Sequence, residues 1–247
     1  MLNNEDIASL ERATLDAVAP PEIQEATDWL LPLDRSTIGR AKSAVPLRHE
    51  GLAADALDGI EAAYHDWGID AQFRVADVPG LSPIHQRLRA MGYAPEQPTL
   101  VQVGTISALL AIPAGATATV DTYPNARWAS VYTAPGFDAV DGAHRVQALS
   151  RSAHVVYAAV HHDNQTLAAG TASISQGWAS IDGMRTVSAA RGQGFASQIL
   201  WGLAAIAAQR GLERVSLQVE EDNTAALALY ARTSFQTAWR YHYWRKL

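Results

Sequence analysis

One junction constrains the fold of this chain more than any other feature: Arg191-Gly192-Gln193-Gly194-Phe195-Ala196, where a strand-like run meets a long apolar helical pattern. The first N–H groups of a helix lack intrahelical partners, the macrodipole makes that end positive, and glycine lets a ligand reach the backbone with no Cβ in the way. The junction therefore reads as an anion site, with phosphate as its natural occupant. Spacing narrows the cradle. A P-loop needs a lysine directly after its last glycine, and none lies near this turn. A dinucleotide fingerprint is matched to within one residue by Gly192, Gly194 and Ser197, with Glu220 as a ribose ligand. Only about fifty residues follow the loop, too few for the further βα units of a doubly wound sheet, so dinucleotide binding stays as the less favoured alternative.

Periodicity orders the rest of the chain. Ile7, Leu10, Leu15 and Val18 predict a helix from Asn4 to Val18, ended by Pro20-Pro21. Strands are expected at Trp29 to Leu33 and Ala41 to Leu47, then an amphipathic helix through Leu57, Ile60, Tyr64 and Trp67 up to Gly68. Gln72 to Val75 reads as strand, Ile84 to Met91 as helix and Thr99 to Ile106 as strand. Ala111 to Ala116, with Pro113 and Gly115, reads as a linker dividing the chain into residues 1–110 and 111–247. Beyond it, a short strand at Thr117 to Val120 and helices around Trp128 to Thr133 and Ala139 to Leu149 precede three strands, Val155 to His161, Leu167 to Ser175 and Trp178 to Val187. The intervening Asp163-Asn164-Gln165 and Gln176-Gly177 are turn compositions, so these strands form an antiparallel meander. Phe195 to Gln209 is apolar on nearly every side and should be a buried helix, capped by Gly211. A strand from Leu212 to Val219, a helix from Thr224 to Arg232 and a strand from Thr237 to Trp244 close an α/β pattern with a mixed sheet.

Arg191, Gly194 and Ala196 resemble the acyl-CoA pyrophosphate loop of the GNAT superfamily of N-acyltransferases. Met184-Arg185-Thr186-Val187 stands where that family's fourth strand ends and bonds the pantetheine arm through its backbone. Leu217-Gln218-Val219 followed by Asn223, Ala226, Leu229-Tyr230 and Phe235 resembles the family's second signature. Ser234 departs from it, replacing the usual glycine before the closing aromatic. The resemblance implies an enzyme that transfers an acyl group, usually acetyl, from acetyl-CoA to a primary amine, on a small molecule or a peptide, in a ternary complex, with no metal. The implied cofactor-binding residues are Thr186, Val187, Arg191, Gly192, Gln193, Gly194, Phe195, Ala196, Ser197, Asn223 and Tyr230. Tyr230 would protonate the leaving thiolate, the backbone N–H of Val187 or a neighbour would face the oxyanion, and Asp182, Glu220 or Glu221 would supply the base. Tyr230 also reads as a core tyrosine, Asn223 as a helix N-cap, and each carboxylate as a solvated one. A protein that holds acyl-CoA as a sensor or scaffold without turnover is a second alternative.

The loop pattern also occurs earlier. Arg48-His49-Glu50-Gly51-Leu52-Ala53 satisfies Arg-x-x-Gly-x-Ala 143 residues before its counterpart, Trp67-Gly68-Ile69 matches Arg210-Gly211-Leu212 at the same offset, and Gly92-Tyr93 matches Ser234-Phe235 at 142. The chain reads as a tandem repeat. Glu50 brings negative charge to the first loop and Leu88 stands where the second copy has Tyr230, so the first copy is degenerate and one competent site is expected. Its role would be to pack on the second copy and wall the acceptor cleft.

Composition removes other classes. Nineteen basic against 25 acidic residues, with a formal charge of −6 and no Lys/Arg cluster, leave little to neutralise a nucleic-acid backbone. The absence of cysteine excludes disulfides, thiolate metal sites and a cysteine nucleophile. The acidic start, Met1-Leu2-Asn3-Asn4-Glu5-Asp6, is unlike a signal peptide, and no apolar run approaches the roughly 18 residues of a membrane span, so a cytoplasmic location away from membranes is expected. His161-His162 would point to opposite faces of a strand and so chelate one ion poorly. In the aromatic tail, Trp239, Tyr241, Tyr243 and Trp244 read as core on one face and cover on the other.

Overall fold

The computed structural model describes residues 2–113 and 118–247. In chain order the elements are α1 (Asn4–Val18), β1 (Glu22–Ala26), β2 (Trp29–Leu33), β3 (Val45–Pro46), α2 (Ala56–Asp66), β4 (Phe73–Ala76), α3 (Ser82–Ala90), β5 (Tyr93–Thr105) and α4 (Ile106–Leu110). They continue as β6 (Thr119–Asp121), α5 (Ala126–Ser130), α6 (Ala139–Arg151), β7 (Val155–His162), β8 (Gln165–Ser175), β9 (Trp178–Thr186), α7 (Phe195–Gln209), β10 (Arg214–Glu220), α8 (Thr224–Arg232) and β11 (Gln236–Lys246). The expected linker falls largely on residues 114–117, outside the described residues.

The tandem pattern is present at the level of elements. A helix, a three-stranded antiparallel meander, a helix, a strand, a helix and a strand run as α1, β1-β2-β3, α2, β4, α3, β5, and again as α6, β7-β8-β9, α7, β10, α8, β11. Even the parallel step recurs: β9 pairs parallel with β10, and Ala44 beside β3 makes a parallel bridge to Phe73 of β4.

The two copies exchange their last strands. The main sheet has the order β4-β11-β5-β10-β9-β8-β7-β6, so β11 of the second copy lies beside β4 of the first, and β5 of the first lies beside β10 of the second. β5 and β11 pair with one another along the middle, at the pseudo-twofold relating the copies. Both long strands carry alternating buried side chains, among them Tyr93, Val101, Trp239 and Tyr241, and α1 packs over β8 and β9. One hydrophobic cluster accordingly joins Leu10 of α1 and Phe73 of β4 to Trp178 of β9 and Trp239 of β11.

Local chemistry explains the ends of several elements. Asn3 and Asp6 form a reciprocal capping box at the start of α1, and Asp138 and Asn223 accept from the third N–H of α6 and α8. The strand expected at Ala41 to Leu47 is instead a 3-10 turn at Gly39–Ala41 followed by the two residues of β3. Ser36 Oγ accepts from the Ile38 N–H and Ser43 Oγ donates to the Gly39 carbonyl, local bonds that compete with a ladder. β1, fully exposed, carries no alternation and escapes pattern reading.

Candidate active site

The second meander ends in a gap. β9 and β10 pair only through Val215 with Ala179, Ser216 with Ser180 and Leu217 with Ile181, and then diverge. At the point of divergence β9 is bulged: its register on β8 slips between Ala169 and Thr171, and Gly183 takes φ +62. A Cβ on Gly183 would press on Leu149 and the Tyr132 hydroxyl, and that hydroxyl donates to the Gly183 carbonyl at 2.7 Å. The diverging ends of β9 and β10 open a cleft of about 840 Å3, closed at its far side by Thr37 to Arg40 of the first copy.

The glycine loop forms one end of this cleft. Gly192 and Gly194 have φ +77 and +83, and a Cβ on either would meet nothing within 4 Å, so the space over their backbone is open. Ser197 and Gln198 N–H groups close onto the Gly194 carbonyl at 3.0 and 3.3 Å. Among the described residues, the N–H groups of residues 192–196 have no such partner. This row of free donors at the start of a 15-residue helix fits a pyrophosphate. Gln193 turns away, its amide donating to the Ala189 carbonyl, and Phe195 packs on the apolar cluster under α7, while Arg191 stands exposed at the mouth and Ala196 and Ser197 line the wall.

On β9 the donor assignment changes. The Val187 N–H donates to the Leu167 carbonyl at 2.9 Å and so faces β8. Strand alternation turns the Thr186 N–H to the opposite edge, toward the cleft. Val187 therefore presents no free backbone donor to the cleft, whereas Met184 and Thr186, its neighbours beside the bulge, line it.

Tyr230 of α8 lies in the cleft wall, 6% exposed, edge-on to Phe235 at 5.6 Å. Burial, with Asp182 adding to it, pushes its phenol up to about 12. Asp182 is not the solvated carboxylate that an exposed strand end suggests: its side chain is 4% exposed and lies 2.6 Å from the Arg40 guanidinium. Glu220, by contrast, is exposed at the end of β10 and accepts from the Gln97 amide at 2.8 Å. Glu221 pairs with Arg240 away from the cleft lining. Asn223 caps α8, accepting from the Ala226 N–H at 3.1 Å, and also borders the cleft.

Residues far apart in sequence complete the floor. Tyr241 and Tyr243, two apart on β11, both face the cleft, with the Tyr241 hydroxyl donating to Gln218 Oε1 at 2.8 Å and 3.3 Å from that of Tyr243. Behind them Glu11 and Arg74 form a fully buried ion pair at 2.6 Å, and the Arg74 guanidinium lies 5.2 Å over the Tyr241 ring. All four tail aromatics, Trp239, Tyr241, Tyr243 and Trp244, are buried in one hydrophobic cluster, so the tail has no solvent-covering face, because β11 lies inside the sheet between β4 and β5. Sequence reading missed Arg40, Thr37, Phe137, Arg145, Gln97 and Thr99 as cleft residues, because no spacing rule links them to the loop. His161 and His162 have separate surroundings, Thr166 for one and Asp163 for the other.

In the first copy the residues around the matching loop are held by the chain itself, while Gly51, at φ +67, is exposed and a Cβ there would meet nothing within 4 Å. The His49 ring stands edge-on to Trp239 at 4.8 Å, Arg48 bonds Asp28 and the Gly51 carbonyl, and the backbone at Gly80 lies so close that a Cβ there would collide with the His49 carbonyl.

This architecture superimposes on a GCN5-related N-acetyltransferase from Kribbella flavida with a TM-score of 0.70 at 16% identity, over 97% of this chain and 95% of that one. It superimposes on a tandem GNAT protein from the clavulanic acid biosynthesis pathway with a TM-score of 0.63 at 15% identity, over 97% and 94%. The fold, with splayed strands and a glycine loop at a helix start, is that of the GNAT acetyltransferases, here in a tandem element order. A family model described as "Probable histone acetyltransferase Rv0428c C-terminal" matches residues 4–244, and the chain belongs to this family. An uncharacterized N-acetyltransferase, YobR of Bacillus subtilis (strain 168), is 32% identical over 83 residues, which are 33% of this chain and 34% of that protein. The match thus spans about a third of that relative's length. Among the described residues no helix is long and apolar enough to cross a membrane.

Proposed function

We propose that this chain transfers an acetyl group from acetyl-CoA to a primary amine by direct attack in a ternary complex. The observation that carries the reading is the run of unpartnered N–H groups at residues 192–196, set beside diverging strands whose gap holds Tyr230. Held by that loop and by the cleft-facing edge of Thr186, the thioester is positioned against the amine, and fixing two reactants in this way removes much of the entropic barrier. The donor groups beside the Gly183 bulge stabilise the charge that develops on the carbonyl oxygen. A free amine of the lysine type titrates near about 10.4, so attack requires its neutral form. Glu220 accepts the amine proton, Asp182 is a positioning residue that holds Arg40 in the floor, and the C–N bond forms as the C–S bond breaks. Tyr230, protonated at neutral pH, gives its proton to the departing thiolate and regains one from solvent.

Titration of the protein with acetyl-CoA by calorimetry, alongside Gly194→Glu, tests the reading. One site per chain, lost in the variant, is the expected result, since the substitution puts a carboxylate and a side chain at φ +83 in the cradle. Binding of NAD(P) in place of CoA would return the reading to a dinucleotide site, and two sites per chain would mean that the first copy also binds.

A further inference from the structure

The charge of the cleft is opposite to that of the chain. In a protein of formal charge −6, the cleft is lined by six arginines, Arg40, Arg145, Arg185, Arg191, Arg232 and Arg245, and by two carboxylates, Asp182 and Glu220. Asp182 lies against Arg40, whereas Glu220, exposed at the end of β10, accepts only from the neutral Gln97 amide and keeps its charge. Arg191 at the loop and Arg232 on α8 belong with the anionic donor, and Arg245 is matched by Glu96 at 2.7 Å. Arg145 and Arg185 are different. Both reach the same oxygen, Asp141 Oδ2, at 2.7 and 3.1 Å, so two guanidiniums share one carboxylate oxygen. The other oxygen of Asp141 accepts from the Thr37 hydroxyl at 3.0 Å. Asp141 stands behind the pair, outside the cleft lining, while the guanidiniums face in, with Arg185 4.7 Å over the Phe137 ring. Burial, and then the neighbouring Arg145, hold Arg185 below the usual arginine range, which Asp141 offsets only in part. For Asp141 itself burial acts upward, and Arg145, Thr37 and Arg185 together outweigh it and hold the carboxyl below its usual range.

An under-neutralised pair of planar guanidiniums is suited to a second carboxylate, which it can grip through charge-assisted, directional bonds. A polycationic amine would meet like charge at this pair, with Glu220 the one cleft carboxylate, among the described residues, not held by an arginine. Resting on the transferase reading, we infer that the acceptor carries a carboxylate near its amine, as an amino acid or an acidic peptide does, and that Arg145 and Arg185 hold that carboxylate. The choice of acceptor is then made by one residue of α6 and one of β9, backed by a loop of the first copy through Thr37.

The test is calorimetry on protein saturated with CoA, using L-aspartate, L-glutamate and a tri-aspartate peptide as acidic probes, and spermidine and a tri-lysine peptide as cationic ones. At least one acidic probe is expected to bind and the cationic ones not to. Arg145→Gln and Arg185→Gln should each weaken that binding tenfold or more while CoA affinity stays within about threefold. Asp141→Asn, which releases both guanidiniums, should strengthen it; a misfolded variant would not. Binding of a cationic probe as tightly as the acidic ones, binding of none, or acidic binding indifferent to all three substitutions would overturn the inference. A tenfold loss of CoA affinity in either arginine variant would overturn it too, by assigning the pair to a CoA phosphate. Failure of the transferase reading is registered separately, as absence of acetyl-CoA binding before any probe is added.

Discussion

In the proposed reaction Tyr230 is the acid, and it is buried in a cleft wall with its phenol pushed up to about 12. Its ionisation therefore lies well above neutral pH, and the rate should show no loss from it below about pH 11. Tyr230→Phe should lower kcat by about two orders of magnitude with little change in acetyl-CoA affinity, a split that steady-state kinetics and calorimetry read together. A chain that only holds acyl-CoA would lose neither. Arg40 acts at the same scale but across the repeat, its guanidinium 2.6 Å from Asp182 with both side chains largely buried. Breaking such a pair from one side leaves a charge uncompensated, so Arg40→Ala should destabilise by about 3 kcal/mol in urea unfolding. The double variant Arg40→Ala with Asp182→Ala should recover part of that loss; a strictly additive result would mean the pair is not coupled.

Two elements carry strain or titration that can be measured. Ser234, closing α8, has φ +63, in the left-handed region that costs a residue with a Cβ about 1–2 kcal/mol. Ser234→Gly should stabilise the fold by up to about 1 kcal/mol after the entropy of the added glycine is counted, read as a higher urea midpoint, with no effect on acetyl-CoA binding. At the junction before α2, burial lowers His49 to about 4. A histidine depressed in the folded state contributes stability that is present above its unfolded value near 6.5 and is lost as pH falls toward 4. By linkage the loss is of the order of 3 kcal/mol. His49→Gln should flatten the stability profile between about pH 6.5 and 4, as followed by urea unfolding at stepped pH.

The whole molecule is built on the exchange of β5 and β11. Because β11 lies between β4 and β5, and β10 beside β5, residues 111–247 alone would leave three strand edges unpaired, both of β11 and one of β10, and expose the apolar side chains beneath them. That fragment should fail to unfold cooperatively on heating, whereas coexpression with residues 1–110 should restore a cooperative transition and acetyl-CoA binding. A fragment that melted cooperatively and bound acetyl-CoA by itself would show that the exchange is dispensable. The first copy also matters to the site of the second: it supplies Arg40, Thr37, Gln97 and Thr99 to that cleft.

Much of this was legible in the residues because it is written locally. The helices Asn4–Val18, Phe195–Gln209 and Thr224–Arg232 follow from apolar spacing and caps, and the meander of β7, β8 and β9 from its turns. The loop, Tyr230 and the 143-residue repeat follow from short patterns whose physics needs neighbours only a few positions away. The burial of Asp182 against Arg40, the turning of the Val187 N–H toward β8, the pairing of Tyr241 with Tyr243 at the cleft floor and the shared Asp141 were not legible. Each depends on which strand lies beside which, and two copies with nearly the same strands can pair within themselves or across. Periodicity is satisfied equally by either arrangement, since both bury the same faces. Only the packing of β5 against β10 and of β11 against β4 decides between them, and with it which charges meet across the cleft.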